Sequence, residues 1–422
     1  MERLATIIAG ERDGVFFVTS ERAGLGSVAE NRPDLVLVAD YLRQGNRESF
    51  TRLVNGTQNT APTPVVWLCN TTDADAYLAA TSAGADELFF GEEEEIAILA
   101  RTRPLVRLST LYGEMWRRFS VARRFHLDPE SVPLPPEEDH RPKLLIVETV
   151  KGDGLAEEMD SGDDCEVTAD PVDAEQRLSS GKYDALLFDA TDREVDWEDF
   201  CRRIRNHPRL FHLPIIAATS GERQVDSALY GAGATQVVFR YGDKAVWKFL
   251  SAARERNFRL RSRFDRSLRR TMVDDTVDPL TWTYSPEFLA EHLSSAVGTS
   301  KAMRHSLSVI RFRIANYDEM SDEFPLPGLY HALQQAAQWI AHLLRAEDLV
   351  ARSEHDEFTI VLPNTPIHEA EIVRDRILGV VLNTDMAVYD VYKPVAVDLI
   401  AGIAALRPDD SASGLLGRAS PA

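Results

Sequence analysis

The sequence predicts a multidomain α/β protein: two doubly wound domains in tandem, then an α+β domain. Three observations predict it. Leu35-Val-Leu-Val38 and Val65-Val-Trp-Leu68 are unbroken apolar runs, the pattern of parallel strands buried on both faces. The same succession of runs returns between residues 141 and 255, a repeat at domain scale. Past residue 278 the pattern becomes alternating, with Phe358, Ile360 and Leu362 on one face of a strand.

Residues 1–125 form the first domain, with predicted strands at Ala5-Thr-Ile-Ile8, Val15-Phe-Phe-Val18 and the two runs above. Residues 126–141 carry Pro129, Pro133, Pro135 and Pro136 and read as a linker. Residues 142–256 form the second domain. Its strands are Lys143-Leu-Leu-Ile-Val147, Tyr183-Asp-Ala-Leu-Leu-Phe-Asp189, Pro214-Ile-Ile-Ala-Ala-Thr219 and a run ending in Gln236-Val-Val-Phe239. From Lys244 onward, spaced apolar residues such as Phe249, Phe258, Phe264 and Leu268 among many arginines predict a helix. It continues through residues 257–277 as a stalk, and the third domain occupies 278–422.

Composition limits the function. The formal charge of −20 argues against general nucleic-acid binding, which draws on Lys and Arg. A small anion remains compatible where arginines cluster, because salt screens distant acids over about 8 Å. Three scattered cysteines and ten scattered histidines show no metal spacing. No apolar run approaches the roughly 18 to 20 residues of a membrane span, and the first residues lack a signal-peptide layout. A reduced, cytoplasmic setting is expected, with no bound metal or cofactor.

The third domain carries the chemistry. Asp278-Pro-Leu-Thr281 opens it. Arg345-Ala-Glu-Asp348 follows a stretch with helical spacing (Leu333, Ala336, Ala337, Ile340), and Glu354-His-Asp-Glu-Phe358 begins five residues after Asp348. In order and spacing these resemble the GGDEF domain of diguanylate cyclases. Ile400-Ala-Gly-Ile-Ala404 resembles that family's later strand, whereas the Ala-Asp-x-Ala-Leu-Tyr helix beyond it has no match. Upstream, Pro33-Asp-Leu-Val-Leu-Val38 and Ala83-Gly-Ala-Asp-Glu-Leu-Phe-Phe90 are similar to pieces of receiver domains, whose fold is flavodoxin-like.

The resemblance implies site roles. The family's metal-binding Asp falls on Arg313 and its second Asp on Ala315; the guanine-reading Asn falls on Ser321 and its partner Asp on Tyr330. Glu354 and His355 replace the Gly-Gly of the signature turn, where glycine would supply positive φ and room for phosphates. Asp356 and Glu357 persist as acids, with Asp356 expected beside Arg313. Trp282 and Thr283 replace a Gly-Leu pair. On this basis the domain is expected to be degenerate and the chain not an enzyme.

The inhibitory site of the family fares differently. Arg345 and Asp348 match its Arg-x-x-Asp, Arg376 matches its second Arg, and Arg374 is a substitute. An Arg fork bonds guanine O6 and N7, a carboxylate accepts from guanine N–H groups, and arginines offset phosphate charge. In isolation the plainer reading is a helix-end ion pair; the spacing to the signature favours the ligand, cyclic di-GMP.

For the receivers, the phosphoacceptor position falls on Ala39, with Asp40 one residue off. Cys69 and Gly91 stand at the Thr and Lys positions, and the acid pair would fall near Ala9 and Gly10. In the second domain Asp189 is the candidate phosphoacceptor and Thr219 matches. Glu148 is left of the acid pair, and Arg240 stands near the Lys. A solvated strand-end carboxylate is the preferred reading of Asp189.

The expectation is a cyclic di-GMP effector, dimeric through its receivers. The order of two receiver domains and a GGDEF-like domain resembles a cyclase of that architecture and, more closely, its non-catalytic paralogue. This second resemblance implies protein recruitment in cell-cycle control: delivery of a replication regulator to the ClpXP protease through an adaptor, at a cell pole. Two alternatives stay open: a phosphorylation-controlled scaffold that ignores nucleotide, and a residual cyclase using Asp356 and Glu357.

Overall fold

The computed structural model describes residues 7, 15–39, 46–56, 63–70, 74–91, 93–126, 143–149, 154–158, 164–181, 183–207, 210–211, 213–389 and 394–421. They fall into two compact units, Met1–Tyr112 with Pro136–Ser262, and Gly113–Pro135 with Arg263–Ala422.

The first unit holds two parallel sheets. In one, β1 (Val36–Ala39), β2 (Val65–Cys69) and β3 (Glu87–Phe90) lie in that order. The central strand is buried through Val65, Val66 and Trp67, which is why its sequence has no polar alternation. Helices α1 (Glu21–Asn31), α2 (Arg47–Gly56), α3 (Ala74–Ala83) and α4 (Glu95–Ala122) belong to this part of the chain. Two polar groups buried in this core are paired: the Trp67 indole N–H donates to Thr51 at 2.9 Å and the Asp86 carboxylate accepts from Val65 N at 2.8 Å.

In the other sheet, β4 (Lys143–Val147), β5 (Asp164–Thr168), β6 (Ala185–Asp189), β7 (Ile215–Thr219) and β8 (Gln236–Phe239) are all parallel, in the order β5-β4-β6-β7-β8. The chain reverses direction across the sheet at β4, so the crevice at the C-terminal ends of β4 and β6 is the natural site. Asp189 and Thr219 are the last residues of their strands there. The helices start and stop on local signals. Asp170 caps α5 (Pro171–Ser180), with Pro171 in the first turn, and Asp196 caps α6 (Trp197–Asn206). Gly233 at φ 111° ends α7 (Arg223–Ala232), a backbone that residues with a Cβ rarely adopt. The following helix α8 (Lys244–Arg269) serves both cores: Trp247 packs under the five-stranded sheet, Phe249 and Ala253 under the three-stranded one.

One strand expectation fails. Val15–Val18 forms no strand and pairs with no described strand, and Phe16 and Phe17 are exposed. Apolar composition alone does not make a strand without a sheet edge to join. Apart from Ile7, the Ala5–Ile8 segment lies outside the described residues. So do Ala9, Gly10, Asp40, and residues 127–142 of the expected linker region.

The second unit holds an antiparallel sheet ordered β10-β11-β9-β12, from β9 (Leu307–Ile314), β10 (Leu349–Glu354), β11 (Glu357–Pro363) and β12 (Leu399–Ala405). Around it are α9 (Pro286–Met303), α10 (Tyr317–Glu323), α11 (Leu326–His342), α12 (Ile367–Val381) and α13 (Ala412–Arg418). One sheet face carries Ile310, Phe312, Phe358 and Ile360 into a core with Leu333, Ala336, Ile340 and Ile377 from α11 and α12. This is the alternation read in the sequence. Gly402 lets α13's end close on β12, since a Cβ there would lie 2.3 Å from the Ala419 carbonyl oxygen.

Candidate functional site

The chemistry-bearing residues of the second unit lie in two places. The first is the β10–β11 hairpin. Glu354 pairs with Glu357 across a two-residue turn of His355 and Asp356. No described residue of this turn has positive φ, so the turn forms without glycine. Arg313 lies opposite Glu357 in the β9–β11 register. The ion pair, however, is made by Arg311. Its Nε and Nη2 donate to the two Glu357 oxygens at 2.9 and 2.8 Å, and Ser353 adds a 2.8 Å hydrogen bond. The expected Asp356–Arg313 contact is not made: Arg311 has the geometry for the bidentate fork. Asp356 has His355 at 3.7 Å instead. Ser321 and Tyr330 are exposed on α10 and α11. The GGDEF family implies a metal pair at such a hairpin. The groups present do not fit one, because both Glu357 oxygens are bound by a guanidinium and Arg313 brings a second positive charge beside them. No described trio of His, Cys, Asp or Glu in the molecule is grouped to hold a metal ion.

The second place is a cavity of about 500 Å³, within the usual range for small-ligand pockets. Its polar wall is the Arg345–Asp348 turn. The helix expected to run into Arg345 ends at His342, and the motif forms a closed turn instead. Asp348 N donates to Arg345 O at 3.1 Å, and Arg345 N donates to Asp348 Oδ2 at 2.9 Å. Two reciprocal hydrogen bonds close the turn and hold the Asp348 side chain at one end of the cavity. Arg376 reaches the same turn from α12, donating to Leu343 O at 2.7 Å. Burial, with Arg345 beside it, lowers the Arg376 pKa to about 10. Arg374 does not join them; it pairs with Asp375 at 2.7 Å.

Asp348 is 7% exposed and its Oδ1 is buried with no hydrogen-bond partner. Burial and the neighbouring Glu347 carboxylate push its pKa up to about 6, against the opposing pull of Arg345. An unpaired buried carboxylate oxygen is costly to the fold.

One residue that sequence reading missed organises this turn. Arg118, in the part of α4 belonging to the second unit, donates from Nη2 to Glu347 O at 2.8 Å and Asp348 O at 2.9 Å. Its guanidinium lies 5.6 Å from the Tyr284 ring centroid. Glu114, 3.8 Å from Arg118, also meets the buried His292, whose Nε2 is 2.8 Å away. Burial, then Arg117 and Arg118, keep that imidazole neutral. An Arg in a long amphipathic helix gives no sequence signal for this role. The far wall is the Asp278–Tyr284 segment, tied down by Asp278–Arg352 at 3.4 Å and by Tyr284 N to Val350 O at 3.0 Å. Leu280, Trp282 and Tyr284 line the cavity.

In the first unit, Asp189 is buried and paired, contrary to the solvated reading. Its Oδ2 accepts from Arg240 Nε at 3.2 Å, and its Oδ1 accepts from the Thr191 backbone N–H and hydroxyl at 3.0 and 2.6 Å. Arg240 is also 3.9 Å from Glu148, and Thr219 donates to Asp226 at 2.7 Å. A guanidinium lying between the two acids leaves them unsuited to a divalent cation. Ala39, Cys69 and Gly91 bring no acid, hydroxyl or amine to the ends of the three-stranded sheet.

Comparison with known proteins adds the relationship. Residues 275–422 match the family model described as diguanylate cyclase, GGDEF domain. The chain is 22% identical over 405 residues to the response regulator PleD of Caulobacter vibrioides, covering 94% of this chain and 87% of that one. Among solved structures, the GGDEF domain of DgcB from Caulobacter crescentus in complex with c-di-GMP is 17% identical, with a TM-score of 0.34 over 35% of this chain and 84% of that one. The FimX GGDEF domain from Pseudomonas aeruginosa is 20% identical, with a TM-score of 0.33 over 34% and 88%. The C-terminal part is thus a GGDEF domain related to diguanylate cyclases, and the chain is a homologue of PleD. These matches correct the expectation of a non-enzyme: the family match and the homology to PleD point to an enzyme. The substituted positions do not undo the relationship, since the hairpin keeps its turn and both acids. No described helix is long and apolar enough to cross a membrane.

Proposed function

We propose that this chain is a cyclic di-GMP-responsive regulator whose GGDEF domain takes the dinucleotide at Arg345, Asp348 and Arg376. The observation that carries the reading is the buried, unpartnered Asp348 Oδ1 at the cavity wall, with the Arg345 and Arg376 guanidiniums close by. Asp348 would accept from guanine N1–H and N2–H, Arg345 would meet O6 and N7, and Arg376 would offset a phosphate. In a protein of the diguanylate cyclase family, such a site places the domain under the control of the dinucleotide.

The two α/β domains act, in this reading, as receiver-like modules for dimerisation and partner contact. The output, on the resemblance of the order of two receiver-like domains and a GGDEF domain to PopA, a paralogue of PleD, is recruitment of an adaptor and delivery of a replication regulator to ClpXP at a cell pole. The Arg240–Asp189 pair weighs against control by phosphorylation at Asp189, because the acceptor oxygens are already bonded.

Calorimetric titration of cyclic di-GMP into the wild type and Arg345→Ala tests the reading. Binding lost in the variant supports it; no binding to the wild type sinks it.

A further inference from the structure

Trp282 stands where the resembling motif has glycine, and the structure shows what that exchange entails. Its backbone sits at φ 56°, the left-handed region that residues with a Cβ rarely adopt. The conformation is imposed by its surroundings. Trp282 N donates to Asp278 O at 2.9 Å, Asp278 N donates to Thr283 O at 2.8 Å, and the Thr281 hydroxyl holds Asp278 Oδ1 at 2.7 Å. A strained non-glycine residue held by an over-determined loop is a place to look for function. Nor is the indole there to fill a core, since the residue is 60% exposed. It lines the same cavity as Asp348, whose Oδ1 is buried and unpartnered. A flat aromatic surface, apolar walls from Leu280 and Leu344, and a carboxylate beside a guanidinium are together complementary to one ligand class. That class is a planar purine bearing adjacent N–H donors and acceptors, which is guanine.

We infer that Trp282 is the base-stacking lid of this cavity: its indole closes over a guanine whose edge meets Asp348 and Arg345. The inference rests on the cyclic di-GMP reading above and adds a residue that the Arg-x-x-Asp motif does not contain. Tyr284 is not equivalent, because Arg118 already covers its ring.

The test is titration of cyclic di-GMP into the full chain and into Trp282→Gly, Trp282→Phe and Arg345→Ala. Calorimetry and tryptophan fluorescence are followed together, with melting temperatures alongside. Trp282→Phe keeps affinity within about threefold and removes most of the ligand-induced fluorescence change. Trp282→Gly loses about tenfold in affinity, the usual scale of base–aromatic stacking. It keeps or raises the melting temperature, because glycine adopts φ 56° at little steric cost. A structural role alone would not separate affinity from stability in this way. Wild-type affinity in Trp282→Gly, with binding lost in Arg345→Ala, overturns the lid and leaves the site reading intact. No binding to the wild type overturns both.

Discussion

The hairpin and the cavity sit in one domain, and both contain buried acids beside arginines, but they treat those acids in opposite ways. At the hairpin, Glu357 has both oxygens bonded by Arg311 and one of them also by Ser353. At the cavity, Asp348 spends one oxygen on its own turn and keeps the other unbonded. A charge-assisted fork that satisfies itself contributes to stability; an acceptor left open costs stability and is ready for a ligand. On the proposed reading the cavity is the place that recognises a ligand, although both places show the same residue types in sequence.

The largest effect expected from this contrast is on folding. Glu357→Ala strands the Arg311 guanidinium and should destabilise the domain by about 3 kcal/mol, measured by urea unfolding. A loss under about 1 kcal/mol would put the pair among weak surface bridges and erase the distinction. Next, Arg345→Ala should cost about a hundredfold in cyclic di-GMP affinity, the scale of a lost charged hydrogen-bond pair, with little change in melting.

A pH series sharpens the comparison because two signs oppose each other. The folded-state pKa of Asp348 is raised from 3.8 to about 6, so the folded form takes up the proton more readily. The penalty for burying the carboxylate is present above about 6 and is relieved as pH falls through the window between those values. Ligand recognition needs the carboxylate as an acceptor, so affinity should fall about tenfold per pH unit below about 6. Asp348→Asn should flatten both profiles; parallel profiles for variant and wild type would show that another group titrates. The smallest effect belongs to Arg374→Ala. Its partner is the exposed Asp375, so affinity should change less than about twofold, and a larger loss would draw Arg374 into the site.

Much of this architecture is legible in the chain, for definite reasons. Four strands of the five-stranded sheet are read from apolar runs, since burial in the sheet favours apolar residues, whereas the edge strand β5, with Asp164, Glu166 and Thr168, carries no such run and is missed. The Arg345–Asp348 motif is read from its distance to the hairpin. What escapes depends on contacts between distant segments. Arg118 acts through two backbone carbonyls, and a carbonyl carries no residue identity that a sequence could match. The Arg240 substitution is visible, but its capture of Asp189 is a matter of side-chain reach. The Glu354-His355-Asp356 turn misleads in the other direction: glycine is the usual way to make such a turn, and this chain makes it without positive φ.

The Arg118 contact bears on how the molecule can be dissected. The carbonyls of Glu347 and Asp348 receive their donors from a helix encoded near the end of the first α/β segment, before the second begins. The Arg345–Asp348 turn and its brace are therefore split in the gene, with a domain's length of unrelated sequence between them. Cutting the chain at Arg263 would produce a fragment that carries every motif residue while lacking the brace that shapes them. Domain shuffling that moved the C-terminal part alone would face the same deficit, so inheritance of the site ties the two ends of the chain together.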